Sequence, residues 1–154
     1  MSKEQYQKIY EEEDWYGNAS IDRCPATRLC PVFINYVESP AVDLGCGRGH
    51  LVEMLRNKGI KCEGYDQIDL NNGMNVADIT SDLKISGKTV TCIDCIEHIP
   101  DEDLVGLFNN FKKFKTQIFS IHNGQSMLNG VDLHINKKPF SVWDEIIKSK
   151  GFYV

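Results

Sequence analysis

From Pro40 onward, short apolar runs alternate with stretches in which apolar residues return every three or four positions. Ala41-Val42-Asp43-Leu44 predicts a buried strand running into Gly45-Cys46-Gly47-Arg48-Gly49. From His50 to Asn57, Leu51, Met54 and Leu55 share one helical face, and Lys58-Gly59 supplies a helix stop. Ile60 to Tyr65 predicts a second strand ending at Asp66, and Gly73 to Ile79 a third ending near Asp78. The β-branched run Thr89 to Asp94 predicts a fourth. Pro100 to Lys113 reads as a helix with Leu104, Leu107, Phe108 and Phe111 on one side. It is followed by a fifth strand from Gln117 to Ile121, a helix from Pro139 to Lys150, and a sixth strand beginning at Phe152. Strands and helices alternating at this rhythm imply right-handed βαβ units and a parallel sheet covered on both faces.

The first 39 residues are less regular. Tyr6, Ile9 and Tyr10 keep helical spacing ahead of the acidic run Glu11 to Asp14. Trp15-Tyr16-Gly17-Asn18 is an aromatic turn, and Pro25 precedes a helix from Thr27 to Tyr36 that Ser39-Pro40 closes. The expected organisation is one domain, with residues 1–39 a helical cap or lid and residues 40–154 the core.

Composition narrows the function classes. With 42% hydrophobic and 25% charged residues the chain can build a globular core. Its 17 basic and 22 acidic residues give a net charge of −5, which argues against a broad nucleic-acid surface without removing a local one. Lys112-Lys113-Phe114-Lys115 reads as the solvated end of a helix. The polar amino terminus carries no signal-like apolar stretch, and no run approaches the roughly 20 residues that cross a bilayer. A cytoplasmic protein without membrane attachment is expected, so the six cysteines are expected as free thiols. Cys92 and Cys95 match a CxxC spacing, but they lie in an apolar run with no second pair, and buried strand residues are the expected reading. Nothing in the sequence sets the oligomeric state.

The glycine turn carries the chemistry. A strand, then Gly45-x-Gly47-x-Gly49, then a helix leaves unpaired N–H groups that favour a carboxylate or phosphate, and the missing side chains let a ligand approach the backbone. An acid closing the next strand, Asp66, is placed to accept hydrogen bonds from ribose hydroxyls.

Val42-Asp43-Leu44-Gly45-Cys46-Gly47-Arg48-Gly49 resembles motif I of class I S-adenosylmethionine-dependent methyltransferases. Gly64-Tyr65-Asp66 resembles that family's ribose-binding acid, and Ala77-Asp78-Ile79 its adenine-edge motif. Val90 to Ile99, ending in Glu97-His98-Ile99, resembles its fourth-strand signature, and Leu133-His134 followed by Gly151-Phe152 its late region. The resemblance implies a three-layer αβα Rossmann-like fold with a mostly parallel sheet. The family continues into a hairpin of sixth and seventh strands, so here the usual last strand or hairpin is expected to be missing. It implies S-adenosylmethionine as cofactor and S-adenosylhomocysteine as product, with Asp43, Gly45, Cys46, Gly47, Gly49, Asp66, Asp78, Ile79 and Asp94 as cofactor-binding positions. Methyl transfer to an oxygen or nitrogen of a small-molecule acceptor is the expected reaction, with His98 and His134 as candidate bases and Glu97 as orienter.

Two other readings stay open: a non-catalytic methyltransferase-like binding module, and a metal-assisted RNA 2′-O-methyltransferase. The last arises because Asp94-x-x-Glu97-His98 is similar to a Glu-x-x-Glu-His metal motif of small-RNA 2′-O-methyltransferases and of O-methyltransferases of ubiquinone synthesis. In the RNA group a later histidine completes the site, for which His134 is the match and His122 a competitor. Asp94 is shorter than the motif's glutamate, and no metal is assigned.

Overall fold

The computed structural model describes residues 6–8, 10, 23–128 and 130–153. Residues 6–8 and 10 are helical, and four helices follow between residues 23 and 153: α1 (Pro25–Phe33), α2 (His50–Asn57), α3 (Leu104–Phe111) and α4 (Phe140–Ser149). Single 3-10 turns follow α1 at Ile34–Tyr36 and precede α3 at Ile96–His98. Five strands, β1 (Ala41–Leu44), β2 (Cys62–Asp66), β3 (Asn75–Val76), β4 (Thr89–Ile93) and β5 (Thr116–Ser120), form one sheet in the order β3-β2-β1-β4-β5. Every pairing in it is parallel. A small antiparallel ribbon, β6 (Met127–Leu128) with β7 (Val131–Asp132), stands apart.

Strand alternation divides the core into two layers of side chains. Val42 and Leu44 of β1, with Val90 and Cys92 of β4, face Leu107, Phe108 and Phe111 of α3 and Trp143 and Ile147 of α4. On the other face, Ala41, Cys62 and Ile93 meet Cys30 and Phe33 of α1 and Leu51, Val52 and Leu55 of α2. Helices on both faces of a parallel sheet are the three-layer αβα arrangement the sequence predicts. β1, central between β2 and β4, is buried at all four positions because helices cover both faces of the sheet. α2 ends as expected, with Gly59 at φ 81° and the Ile60 N–H bonded to the Leu55 carbonyl at 3.1 Å.

Some elements differ from expectation, each for a local reason. The third strand is only Asn75–Val76, both exposed, because side-chain-closed turns flank it: Asn72 accepts from the Met74 N–H, and Asp78 from the Thr80 N–H. The helix predicted from Pro100 begins at Leu104, since Pro100 to Asp103 is spent on a tighter turn (Asp103 N–H to Pro100 carbonyl, 3.1 Å). Phe152 starts no sixth strand. Its N–H closes the end of α4 on the Ile147 carbonyl at 3.2 Å, and its ring packs among Phe108, Phe111 and Phe119. Cys92 is the buried strand residue expected, whereas Cys95 lies just beyond β4 and is half-buried; all six cysteines are free thiols. In the basic run, Lys113 pairs with Asp82 and Lys115 with Glu38. Among the described residues no helix is long and apolar enough to cross a membrane.

α3 is clamped to the segment after β3. Asn110 Nδ2 donates to the Ile79 and Ser81 carbonyls at 2.8 and 2.7 Å, and a Cβ at Gly106 would lie 1.7 Å from the Thr80 carbonyl oxygen. Gly106 therefore lets a helix touch backbone directly.

Candidate functional site

A cleft of about 1180 Å³ opens at the carboxyl ends of β1, β2 and β4, where ligands of open parallel sheets bind. A shallower hollow of about 520 Å³ lies at the opposite, amino end of β1 and β2, away from the groups described below. Asp43, Gly45, Cys46, Gly47, Asp66, Asp78, Ile79, Asp94, His98 and His134 all line the cleft. Gly49 and Glu97 do not.

The floor is the turn after β1. The N–H groups of Gly45 and Cys46 both donate to the Tyr65 carbonyl, at 2.8 and 3.1 Å, fixing the turn to the end of β2. Asp66 then reaches across: its Oδ2 accepts from the Gly47 N–H at 2.8 Å, and its Oδ1 from the Ile68 N–H at 3.0 Å. Burial raises the Asp66 pKa, and these backbone bonds oppose the rise.

The glycines have a different reason from ligand approach alone. Gly45 sits at φ 74°, and a Cβ there would fall 2.3 Å from Cys95 Sγ, so this glycine makes room for the loop after β4. A Cβ on Gly49 would strike Met74 Cε at 2.5 Å, which accounts for its absence from the cleft wall. Gly47 alone faces outward, toward the Tyr10 hydroxyl at 3.0 Å from its Cβ position.

Beneath the turn, Asp43 is almost wholly buried and accepts a 2.6 Å hydrogen bond from the Thr91 hydroxyl. Burial pushes its carboxyl up to about 7; the Thr91 bond pulls back part of the rise and Asp66 adds a little. An unfolded aspartate titrates near 3.9, so the native chain holds a proton over roughly pH 4 to 7 that the unfolded chain has lost. The stability from this proton is complete below pH 4 and is lost as pH rises through 7. Asp43→Asn keeps an acceptor for Thr91 and removes the buried charge. Chemical denaturation should show the variant gaining on wild type between pH 4 and pH 8, by up to roughly 4 kcal/mol. A pH-independent difference would contradict burial of this charge.

Around the rim, exposed Asp78 accepts from the Thr80 N–H and hydroxyl, both on Oδ1, at 2.8 and 2.7 Å. The buried Ile79 side chain belongs to the core. Asp94 adopts φ 49°, held by a reciprocal pair with Ser120: its N–H donates to Oγ at 3.0 Å and Oγ–H donates to its Oδ1 at 2.6 Å. Burial raises the thiol pKa of Cys46 far above its usual value, so it acts as a neutral wall group.

The polar end of the cleft brings Glu97, His98 and His134 together, and adds His122. Glu97 is fully buried; its Oε1 accepts from the His122 N–H at 2.9 Å and lies 4.0 Å from His134 Nε2. Burial pushes its carboxyl up to about 7. His98 and His134 are side by side, ring centroids 4.7 Å apart, and not on opposite faces of the sheet. His98 Nδ1 contacts the Leu133 carbonyl at 2.9 Å and the Tyr6 hydroxyl at 2.8 Å, and burial pulls its pKa down to about 4. Tyr6 and Tyr10 both wall the cleft, with Arg48 donating to the Tyr10 carbonyl at 3.1 Å and Gln7 Nε2 to the Asp69 carbonyl at 3.4 Å. The aromatic turn Trp15-Tyr16 lies outside the described residues.

Residues 6 and 10 were legible only as helical spacing, and nothing local marked them as cleft walls. His122 was visible in the loop after the fifth strand, but spacing alone could not bring it to Glu97.

The geometry finds close counterparts among solved structures. A methyltransferase from Archaeoglobus fulgidus, described as S-adenosylmethionine-dependent, superposes with a TM-score of 0.65 at 22% identity, over 90% of this chain and 72% of that one. The methyltransferase domain of bacterial CtHen1-C superposes with a TM-score of 0.66 at 18% identity, over 85% of each chain. The chain has the class I, Rossmann-like methyltransferase fold. In sequence, a ubiquinone biosynthesis O-methyltransferase of Serratia proteamaculans is 28% identical over an alignment 102 residues long that covers 50% of this chain and 42% of the relative. A second of the same description, from Saccharophagus degradans, is 31% identical over an alignment 101 residues long that covers 50% of this chain and 43% of the relative. The chain thus spans less than half the length of these curated relatives. No family model matches it. Within the methyltransferase fold, the glycine turn, Asp66 and the Glu97-His98 turn stand at the carboxyl edge of the sheet.

Proposed function

We propose that this chain binds S-adenosylmethionine and transfers its methyl group to an oxygen or nitrogen of a small molecule. The observation that carries the reading is Asp66, a carboxylate at the end of β2 bonded to the Gly47 N–H across the glycine turn. It holds the turn in shape while keeping lone pairs for ribose hydroxyls. The cleft of about 1180 Å³ exceeds the roughly 300–1,000 Å³ of ordinary ligand pockets, which leaves room for cofactor and acceptor together.

In this reading Gly45, Cys46 and Gly47 are the floor under the cofactor, Asp43 supports them from below, and Asp78, Ile79 and Asp94 border the adenosyl part. Gly49 serves by packing against Met74. The cofactor, when bound, supplies an already activated methyl group, so the protein's work is positioning. His98, neutral at pH 7 because of its burial, can take a proton from the acceptor. His134 is a second candidate base, with Glu97, whose Oε1 lies 4.0 Å from its Nε2, as the candidate orienter. Residues 1–39 are proposed as a cap on the core of residues 40–154; their described part meets the cleft at Tyr6 and Tyr10 and the core at Cys30 and Phe33. Six free thiols suit a reducing, cytoplasmic setting.

Thermal unfolding tests the reading. At a hundred times its dissociation constant, S-adenosylhomocysteine should stabilise the chain by about 2.7 kcal/mol, and NAD should do nothing. Stabilisation by NAD alone would overturn the assignment.

A further inference from the structure

The sheet has two edges, and they are built differently. β3 is blunt: two residues long, flanked by turns that Asn72 and Asp78 close. β5 is five residues long and half-buried at every position, whereas β4 beside it is buried throughout. From Thr116 to Ile121 the chain carries neither charge nor proline, two of the guards that keep a free edge from pairing. Lys115, the nearest charge, is turned to Glu38 at 3.1 Å.

The register with β4 fixes which backbone groups are left over. The Thr116 N–H donates to the Lys88 carbonyl at 2.9 Å, so Thr116, Ile118 and Ser120 turn their N–H and C=O groups toward β4. Those of Gln117 and Phe119 point off the sheet and have no partner among the described residues. The ribbon β6–β7 pairs only within itself. Two donors and two acceptors thus stand in a row on a strand whose side chains are already fixed, Phe119 stacked on Phe111 and Ile118 packed in the opposite layer.

We propose that β5 pairs with β5 of a second copy of this chain, antiparallel about a twofold axis at Ile118, which joins two five-stranded sheets into one. Identical edges related by a twofold perpendicular to the sheet meet antiparallel. With the axis at Ile118, Gln117 of each copy stands opposite Phe119 of the other. Such a pair exchanges both N–H···O bonds, so all four left-over groups of each copy are satisfied. Ile118 meets its own counterpart in the close, non-hydrogen-bonded pairing, where β-branched side chains pack well. Lys115 falls opposite Ile121, and the two Lys115 residues lie roughly 20 Å apart at about 3.3 Å per residue, so no like charges meet. A foreign strand would have to bring a match to this spacing, whereas a second β5 supplies it by symmetry. The proposal does not rest on methyl transfer, and its test needs no cofactor.

Sedimentation of the whole chain over a dilution series tests it, together with hydrogen exchange. Wild type should pass from monomer to dimer, and the Gln117 and Phe119 amides should exchange more slowly as the dimer forms. Gln117→Pro removes an outward donor without touching the β4 ladder, a position that proline can occupy on an edge strand. It should weaken dimerisation by roughly tenfold or more, because symmetry removes two hydrogen bonds at once. Gln117→Ala loses the same side-chain bonds, to the Phe111 and Phe114 carbonyls, but keeps the N–H, so it should dimerise like wild type. Should the proline variant fail to fold, the wild-type exchange rates decide. A chain that stays monomeric at every concentration overturns the proposal. So does a dimer whose Gln117 and Phe119 amides exchange as fast as in the monomer, or a folded Gln117→Pro that dimerises as tightly as wild type.

Discussion

Alanine at Gly106 is expected to cost this chain most of its stability. The added Cβ would stand 1.7 Å from the Thr80 carbonyl oxygen and 2.8 Å from its carbon, both backbone atoms that cannot rotate away. Relief requires α3 to move off the segment it is clamped to, which breaks the Asn110 bonds to Ile79 and Ser81 and opens the core around Leu107 and Phe111. The loss should exceed about 4 kcal/mol, in the range reserved for severe core damage. Urea denaturation of Gly106→Ala measures it. A midpoint equal to wild type would mean that α3 does not lie against Thr80.

The second large effect falls on ligand binding. Asp66→Ala removes the proposed acceptor for ribose and also orphans the Gly47 and Ile68 N–H groups that define the turn. Each charged hydrogen bond is worth roughly 1.5–3 kcal/mol, so S-adenosylhomocysteine affinity should fall on the order of 100-fold or more. Asp66→Asn, which keeps one acceptor for Gly47, should lose less. Calorimetric titration of both variants separates the two contributions; unchanged affinity in Asp66→Ala would move the ribose contact elsewhere.

The parts of this molecule that were legible in the sequence are those set by neighbours in the chain. Apolar runs place β1, β2 and β4, and the period-3.6 stretch with its glycine stop places α2 within the residues observed. The glycine turn and Asp66 are legible because a strand, a glycine triplet and a helix follow one another locally, though the reason for Gly45 is not. Its need comes from Cys95, fifty residues later, whose sulfur fills the space of the missing side chain. Gly106 is the same case: inside a helical pattern it reads as a weak position, and only the packing reveals Thr80 beneath it. Likewise the approach of His122 and His134 to Glu97 is made by the return of the chain after β5, at separations no spacing rule covers. Phe152 misled because an apolar residue after Gly151 suits a strand start and a helix-closing contact equally well.

Tyr6 and Tyr10 give the cleft a further property. Tyr6 is tied to the loop after β4 through His98, and Tyr10 to the turn after β1 through Arg48, so one short segment joins both walls. For a ligand that passes these walls, the ties would have to release first, on the way in as on the way out. An obstacle of this kind slows arrival and departure in equal proportion and leaves the equilibrium constant where it was. On such a route a change at the two tyrosines would alter residence time and leave affinity unchanged.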